Sequence, residues 1–129
     1  MLKENSMDKK YIETLLSYPL DAEMILRKSR SLRRYLYENG EERQGVRIAV
    51  LGGSTTSELL RLTELFLLER GFEVTFFESA YNRYFEVANY EIELLKEYEP
   101  DIVIIHTSIV NVAEWPSFGQ EKVDVEKMI

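Results

Sequence analysis

Cysteine is absent from this chain, histidine occurs once, and only 3 prolines and 6 glycines interrupt its 129 residues. The first absence excludes a disulfide framework, a thiolate metal site and a cysteine nucleophile together. A single His106 excludes any multi-histidine metal centre and makes it the one imidazole that could serve a serine nucleophile. Low Gly and Pro content, with 45% hydrophobic and 12% aromatic residues, excludes disordered, collagenous and low-complexity classes. Nothing approaches the roughly 18 consecutive apolar residues of a membrane span, and the polar start Met-Leu-Lys-Glu-Asn-Ser does not read as a secretory signal. The expectation is a cytoplasmic globular protein.

Basic residues are also in short supply. Lys and Arg number 16 against 23 Asp and Glu, a net charge of −7, which argues against a nucleic-acid partner. The deficit is uneven: residues 1–45 carry a net +1, and residues 46–129 carry −8.

What is present is a change of period at about residue 45. Before it, Asp8 can cap a short helix bearing Ile12, Leu15 and Leu16 that Pro19 stops, and Asp21 can cap a second bearing Met24, Ile25, Leu32, Tyr35 and Leu36 up to Gly40. Residues 1–45 thus read as a helical leader, an αα pair. Its cluster Arg27, Lys28, Arg30, Arg33 and Arg34 is either a phosphate- or partner-binding patch or a solvated face whose arginines pair with nearby acids.

After residue 45, Val46 to Leu51 is an apolar run broken only by Arg47, as a strand buried on both faces requires. It runs into Gly52-Gly53-Ser54, and Thr55 with Glu58 matches a capping box for a helix through Leu68 that Gly71 ends. Phe72 to Glu78 reads as a second strand, Glu91 to Glu99 as a helix before Pro100, and Asp101 to Thr107 as a third buried strand. The order β-α-β-α-β predicts an α/β fold with a doubly wound parallel sheet and right-handed crossovers. Glu121 to Ile129 looks like the start of a helix that stops abruptly, which is the expectation for a truncated domain.

In such a sheet, ligands bind beyond the carboxyl ends of the strands. That rule selects the loops Gly52 to Thr56, Glu78 to Tyr84 and His106 to Trp115. Two glycines permit a tight turn whose N–H groups, with the hydroxyls of Ser54, Thr55 and Thr56, could hold an anion or oxyanion, or simply form a strand-to-helix turn. No third spaced glycine marks a dinucleotide fingerprint, and no Gly-Lys-Ser/Thr marks a P-loop. His106 could reach a ligand in the same crevice or be a hydrogen-bonded structural histidine. Asn111 could donate to an oxyanion or cap its loop. Tyr81, Tyr84, Phe85 and Tyr90 could line a pocket, or pack between helix and sheet. Trp115-Pro116 reads as a loop anchor.

Four segments carry a resemblance: Val46 to Thr56 (Val-Arg-Ile-Ala-Val-Leu-Gly-Gly-Ser-Thr-Thr), the helix end Leu68 to Val74 (Leu-Glu-Arg-Gly-Phe-Glu-Val), Phe77 to Tyr84 (Phe-Glu-Ser-Ala-Tyr-Asn-Arg-Tyr), and Glu99 to Ile104 (Glu-Pro-Asp-Ile-Val-Ile). Over about residues 45–112 the chain resembles the amino-terminal domain of FkbH-like proteins, subfamily IIIC of the HAD superfamily. The resemblance implies a three-layer α/β domain of SGNH-hydrolase or flavodoxin-like type over residues 46–129. It places Ser54 at the nucleophile position and Asn111 near the oxyanion asparagine; Gly52, Gly53, Thr55, Thr56 and Tyr81 are the ligand-binding candidates that the strand-end loops themselves offer. SGNH enzymes read Gly-Asp-Ser where this chain reads Gly-Gly-Ser, and their Asp-x-x-His base has no counterpart here.

The resemblance further implies that phosphoryl chemistry with Mg²⁺ resides in a following HAD domain, beyond residue 129. Asp124-Val125-Glu126 is not its Asp-x-Asp motif, so no cofactor is expected within this chain. The implied function is substrate positioning or interaction within a phosphoryl- or acyl-transfer protein. That protein would load glyceryl units onto an acyl carrier protein or serve surface polysaccharide or lipid assembly, acting on a phosphorylated or acyl small molecule. Arg27, Arg30, Arg33 and Arg34 would dock the carrier by charge. Two alternatives stand beside it: a serine esterase or acyltransferase using Ser54, and a ligand-binding α/β domain without chemistry.

Overall fold

The structure, a computed structural model, describes residues 8–112, 115 and 117–127. Its centre is strand β1, Gln44–Gly52, whose residues from Ile48 onward are all buried. β1 pairs in parallel with β2 (Phe72–Glu78) on one side and β3 (Ile102–His106) on the other, giving the order β2-β1-β3. The register sets Val50 opposite both Glu78 and Ile104, and Gly52 opposite His106. Parallel neighbours need crossovers, and helices supply them. Helix α3 (Ser57–Glu69) links β1 to β2, and α4 (Tyr84–Asn89) with α5 (Ile92–Tyr98) links β2 to β3.

Side-chain alternation along β1 assigns the two faces. Ile48 and Val50 join Val74 on one face, covered by Leu60 and Leu67 of α3. Ala49 and Leu51 turn to the other face, where Val87 of α4 and Leu95 of α5 cover them. This is a mixed α/β fold with a parallel sheet and helices against both faces.

Two helices precede the sheet, α1 (Lys9–Leu15) and α2 (Ala22–Asn39). Asp8 caps the first by accepting from the Tyr11 N–H at 2.8 Å, and Asp21 caps the second through the Met24 N–H at 2.9 Å, each satisfying an orphan donor of the first turn. Their apolar residues Ile12, Leu16, Ile25, Leu32 and Leu36 form one core with Leu65 and Leu68 of α3. Helix α3 is therefore apolar on two sides, which explains its seven leucine and phenylalanine residues between Leu59 and Leu68. The layers run from the α1–α2 pair through α3 and the sheet to α4 and α5.

A polar seam also joins α2 to α3. Glu64 Oε1 accepts from Arg33 Nε at 2.8 Å and from the Tyr37 hydroxyl at 3.3 Å, while the Arg33 guanidinium stacks 4.8 Å from the Tyr37 ring centre. Burial, then the charge of Glu64, raises the Tyr37 pKa, and the Glu64 hydrogen bond raises that of Arg33.

Four expectations are corrected by the structure. The third strand is not buried: Ile102, Val103 and Ile105 are about half exposed, because among the described residues β3 has a neighbouring strand on one side only. A helix, α4, occupies part of the aromatic segment, and of its aromatics only Tyr84 packs into the core, leaving Tyr81, Phe85 and Tyr90 exposed. The α3 N-cap is Thr56 rather than Thr55, and it makes no side-chain cap because its hydroxyl donates to Glu78. Trp115 is exposed and anchors nothing by burial, while Pro116 lies outside the described residues. The carboxyl-terminal helix is short, α6 at Lys122–Glu126, and Met128 and Ile129 lie outside the described residues.

Two measurements test this architecture. Leu65→Ala, at a residue with no exposed surface between the sheet-covering helix and the α1–α2 pair, should lower unfolding stability by about 2–5 kcal/mol in urea titrations. Because folding raises the Tyr37 pKa above its ordinary 10.0, its contribution is full below pH 10 and lost as pH rises through the folded value. The urea midpoint should therefore fall more steeply above pH 10 in the native protein than in Tyr37→Phe.

Candidate functional site at the carboxyl ends of the strands

The first crossover leads from β1 to β2 on one side and the second returns from β2 to β3 on the other, so the carboxyl end of β1 lies where the loops of both neighbours can meet. The Gly52-Gly53 turn is held from each flank. Gly52 N–H donates to Ser79 Oγ at 3.0 Å, at the end of β2, and Gly53 N–H donates to the His106 carbonyl at 2.8 Å, at the end of β3. Both positions need glycine. A Cβ on Gly53 would stand 2.6 Å from the Asn111 amide group, and one on Gly52 would stand 2.9 Å from Thr56 Cγ2.

The turn delivers Ser54 to His106. Ser54 Oγ lies 3.0 Å from His106 Nδ1, with both residues half-buried. A neutral imidazole accepting there is the arrangement of a hydroxyl and its general base, within the usual 2.6–3.2 Å reach of such pairs. Among the described residues, no carboxylate makes a hydrogen bond or ion pair with the imidazole to orient it from behind.

Asn111 closes the crevice. It ends a 3₁₀ turn, Ile109–Asn111, whose start is capped reciprocally with Ser108: the Ser108 N–H donates to Asn111 Oδ1 at 2.8 Å. Its Nδ2 donates to the Gly53 carbonyl at 2.8 Å and to Asn82 Oδ1 at 3.0 Å. One side chain thereby ties together the loops after β1, β2 and β3. Both amide hydrogens are already engaged, so an oxyanion could bind Asn111 only by displacing one of these partners.

Gly52, Gly53, Ser54, His106 and Asn111 are thus brought together. Thr56 is buried at the crevice floor, its hydroxyl donating to Glu78 Oε1, whereas Thr55 is exposed at the rim. Tyr81, 73% exposed in the turn after β2, makes no hydrogen bond among the described residues. Sequence reasoning missed Ser79, Glu78 and Asn82. Only Asn82 left a signal: its left-handed backbone, φ 57°, suits an Asn in the Tyr-Asn-Arg turn.

The arginines of the α2 cluster have different local partners. Arg33 is paired with Glu64, and Arg27 Nη2 contacts Met24 Sδ at 3.1 Å. Arg30 and Arg34 have no carboxylate within 4.0 Å among the described residues. No group of three His, Asp or Glu able to hold a metal ion occurs among the described residues, and no helix among them is long and apolar enough to cross a membrane.

No family model, curated protein or solved structure matches this chain. Fold and geometry define an α/β domain whose three strand-end loops meet in a hydrogen-bonded polar cluster.

The glycine requirement is directly testable. Gly53→Ala should push the Asn111 amide out of its place, and ¹H–¹⁵N spectra should show the Asn111 side-chain pair and the Ser108 and Asn82 amides shifting together. Gly45→Ala, whose Cβ would meet nothing within 4 Å, should leave them unmoved.

Proposed function

We propose that this chain is the amino-terminal, substrate-positioning domain of an FkbH-like protein of the HAD superfamily. In this reading the crevice of Ser54, His106 and Asn111 holds a ligand whose chemistry is completed elsewhere. The observation that carries it is the state of Asn111: both amide hydrogens tie loops together, and none points free toward a developing oxyanion. A crevice clamped in this way suits recognition of a polar head more than stabilisation of a tetrahedral intermediate.

The ligand class follows from the resemblance: an acyl or phosphorylated small molecule, with an acyl carrier protein as partner. Phosphoryl chemistry and its Mg²⁺ belong, in this reading, to a HAD domain outside these residues. Acidic carriers would be repelled by the −8 of residues 46–129, so docking falls to the basic side of α2, where Arg27, Arg30 and Arg34 have no carboxylate within 4.0 Å among the described residues.

A second reading has a specific observation behind it. The 3.0 Å contact between Ser54 Oγ and His106 Nδ1 puts a hydroxyl within proton-transfer reach of an imidazole, as a serine esterase or acyltransferase requires, although through Nδ1 rather than the Nε2 that Ser-His-Asp enzymes use. One experiment separates the two. Under the positioning reading, a fluorophosphonate probe leaves Ser54 unlabelled, while a small acyl thioester shifts the Gly53, Ser54 and His106 resonances without being hydrolysed. Covalent labelling that Ser54→Ala abolishes would establish the hydrolase reading instead.

A further inference from the structure

Between α2 and α3 lies a groove of about 280 Å³ that is separate from the strand-end crevice. Its walls are Ser29, Arg30 and Arg33 from α2 and Leu60, Arg61 and Glu64 from α3, and Phe76 of β2 forms part of its floor. Three guanidinium groups and one carboxylate leave this groove with a local charge of +2, in a chain whose net charge is −7.

The charges are also chemically available. Glu64 takes only the Nε of Arg33, which leaves the two Nη groups of that side chain without a partner among the described residues. Arg30 and Arg61 have no carboxylate within 4.0 Å among the described residues, although acids outnumber bases in the chain. Clustered like charges repel, and they persist at low cost only where solvent or an anion screens them. Guanidinium forks match the oxygens of a phosphate bidentately, and a dianion would neutralise the +2. Leu60 and Phe76 add an apolar surface beside the charges. A volume of about 280 Å³ corresponds to roughly nine waters, room for one phosphate and a small carbon group.

We propose that the α2–α3 groove is a binding site for a small phosphomonoester, held by Arg30, Arg33 and Arg61 with its carbon portion against Leu60 and Phe76. The site draws Arg61 into a role that the α2 arginine cluster alone does not show, and leaves Arg27 and Arg34 outside it. It does not depend on the reading of the strand-end crevice.

The test titrates the intact, ¹⁵N-labelled chain at low salt with phenyl phosphate, inorganic phosphate and phenol, following arginine Nε–H and backbone signals. Phenyl phosphate should bind saturably, more tightly than inorganic phosphate, and shift Arg30, Arg33, Arg61 and Phe76, while phenol should not bind. The exposed pair Arg30→Gln with Arg61→Gln should weaken binding by about tenfold or more. The equally charged-depleted control, Arg27→Gln with Arg34→Gln, should change it by less than about twofold. Circular dichroism melting of both variants confirms that each is folded. Absence of saturable binding to the native chain, or equal weakening in both variants, would overturn the proposal. Shifts confined to Ser54, His106 and Asn111 would overturn it too, by sending the phosphate to the other crevice.

Discussion

Burial of β1 on four sides is the constraint from which the rest of the molecule follows. Strands flank it, helices cover both its faces, and its residues Ile48 to Gly53 have almost no contact with solvent. A strand so enclosed must satisfy every backbone group through its neighbours, since an unpaired buried N–H or C=O costs about as much as a lost hydrogen bond. That requirement extends past the sheet: Gly52 and Gly53 still donate to Ser79 and to His106. The crevice is the place where the pairing demands of a buried strand are met by loops instead of strands.

Seen this way, Asn111 has two jobs that use the same atoms. Its oxygen holds its own 3₁₀ turn through Ser108, and its nitrogen holds the other two loops through Gly53 and Asn82. A group competing for the nitrogen would have to displace the Gly53 carbonyl or Asn82, and so loosen a tie between loops, whereas a contact to Ser54 or His106 would leave that tie intact.

Features decided within a short stretch of chain were legible in the sequence. Asp8 and Asp21 cap the helices they were expected to cap, β2 spans Phe72–Glu78, and Ser54, His106 and Asn111 lie in one crevice because strand-end loops gather in any open parallel sheet. What escaped depends on partners distant in sequence. Thr56 stands at the N-cap in place of Thr55 and makes no side-chain cap, because Glu78, 22 residues away, takes its hydroxyl. Exposure of β3 cannot be inferred from Ile102-Val103-Ile104-Ile105, since the same apolar run suits a central strand or an edge. The short α4 was hidden among aromatics that favour strands and loops as readily as helices. The arginines of α2 looked like one patch until α3 divided them, pairing Arg33 with Glu64 and setting Arg61 across from Arg30.

The open side of β3 carries a geometric rule of its own. A strand contributed through a crossover from the same chain would lie parallel to β3, as β1 does on its other side. Two copies of the chain meeting edge to edge about a two-fold axis would bring their β3 strands together antiparallel, because the axis reverses one strand relative to the other. A parallel strand against Ile102–His106 would therefore exclude that two-fold pairing, and an antiparallel one would exclude a strand brought there by a crossover.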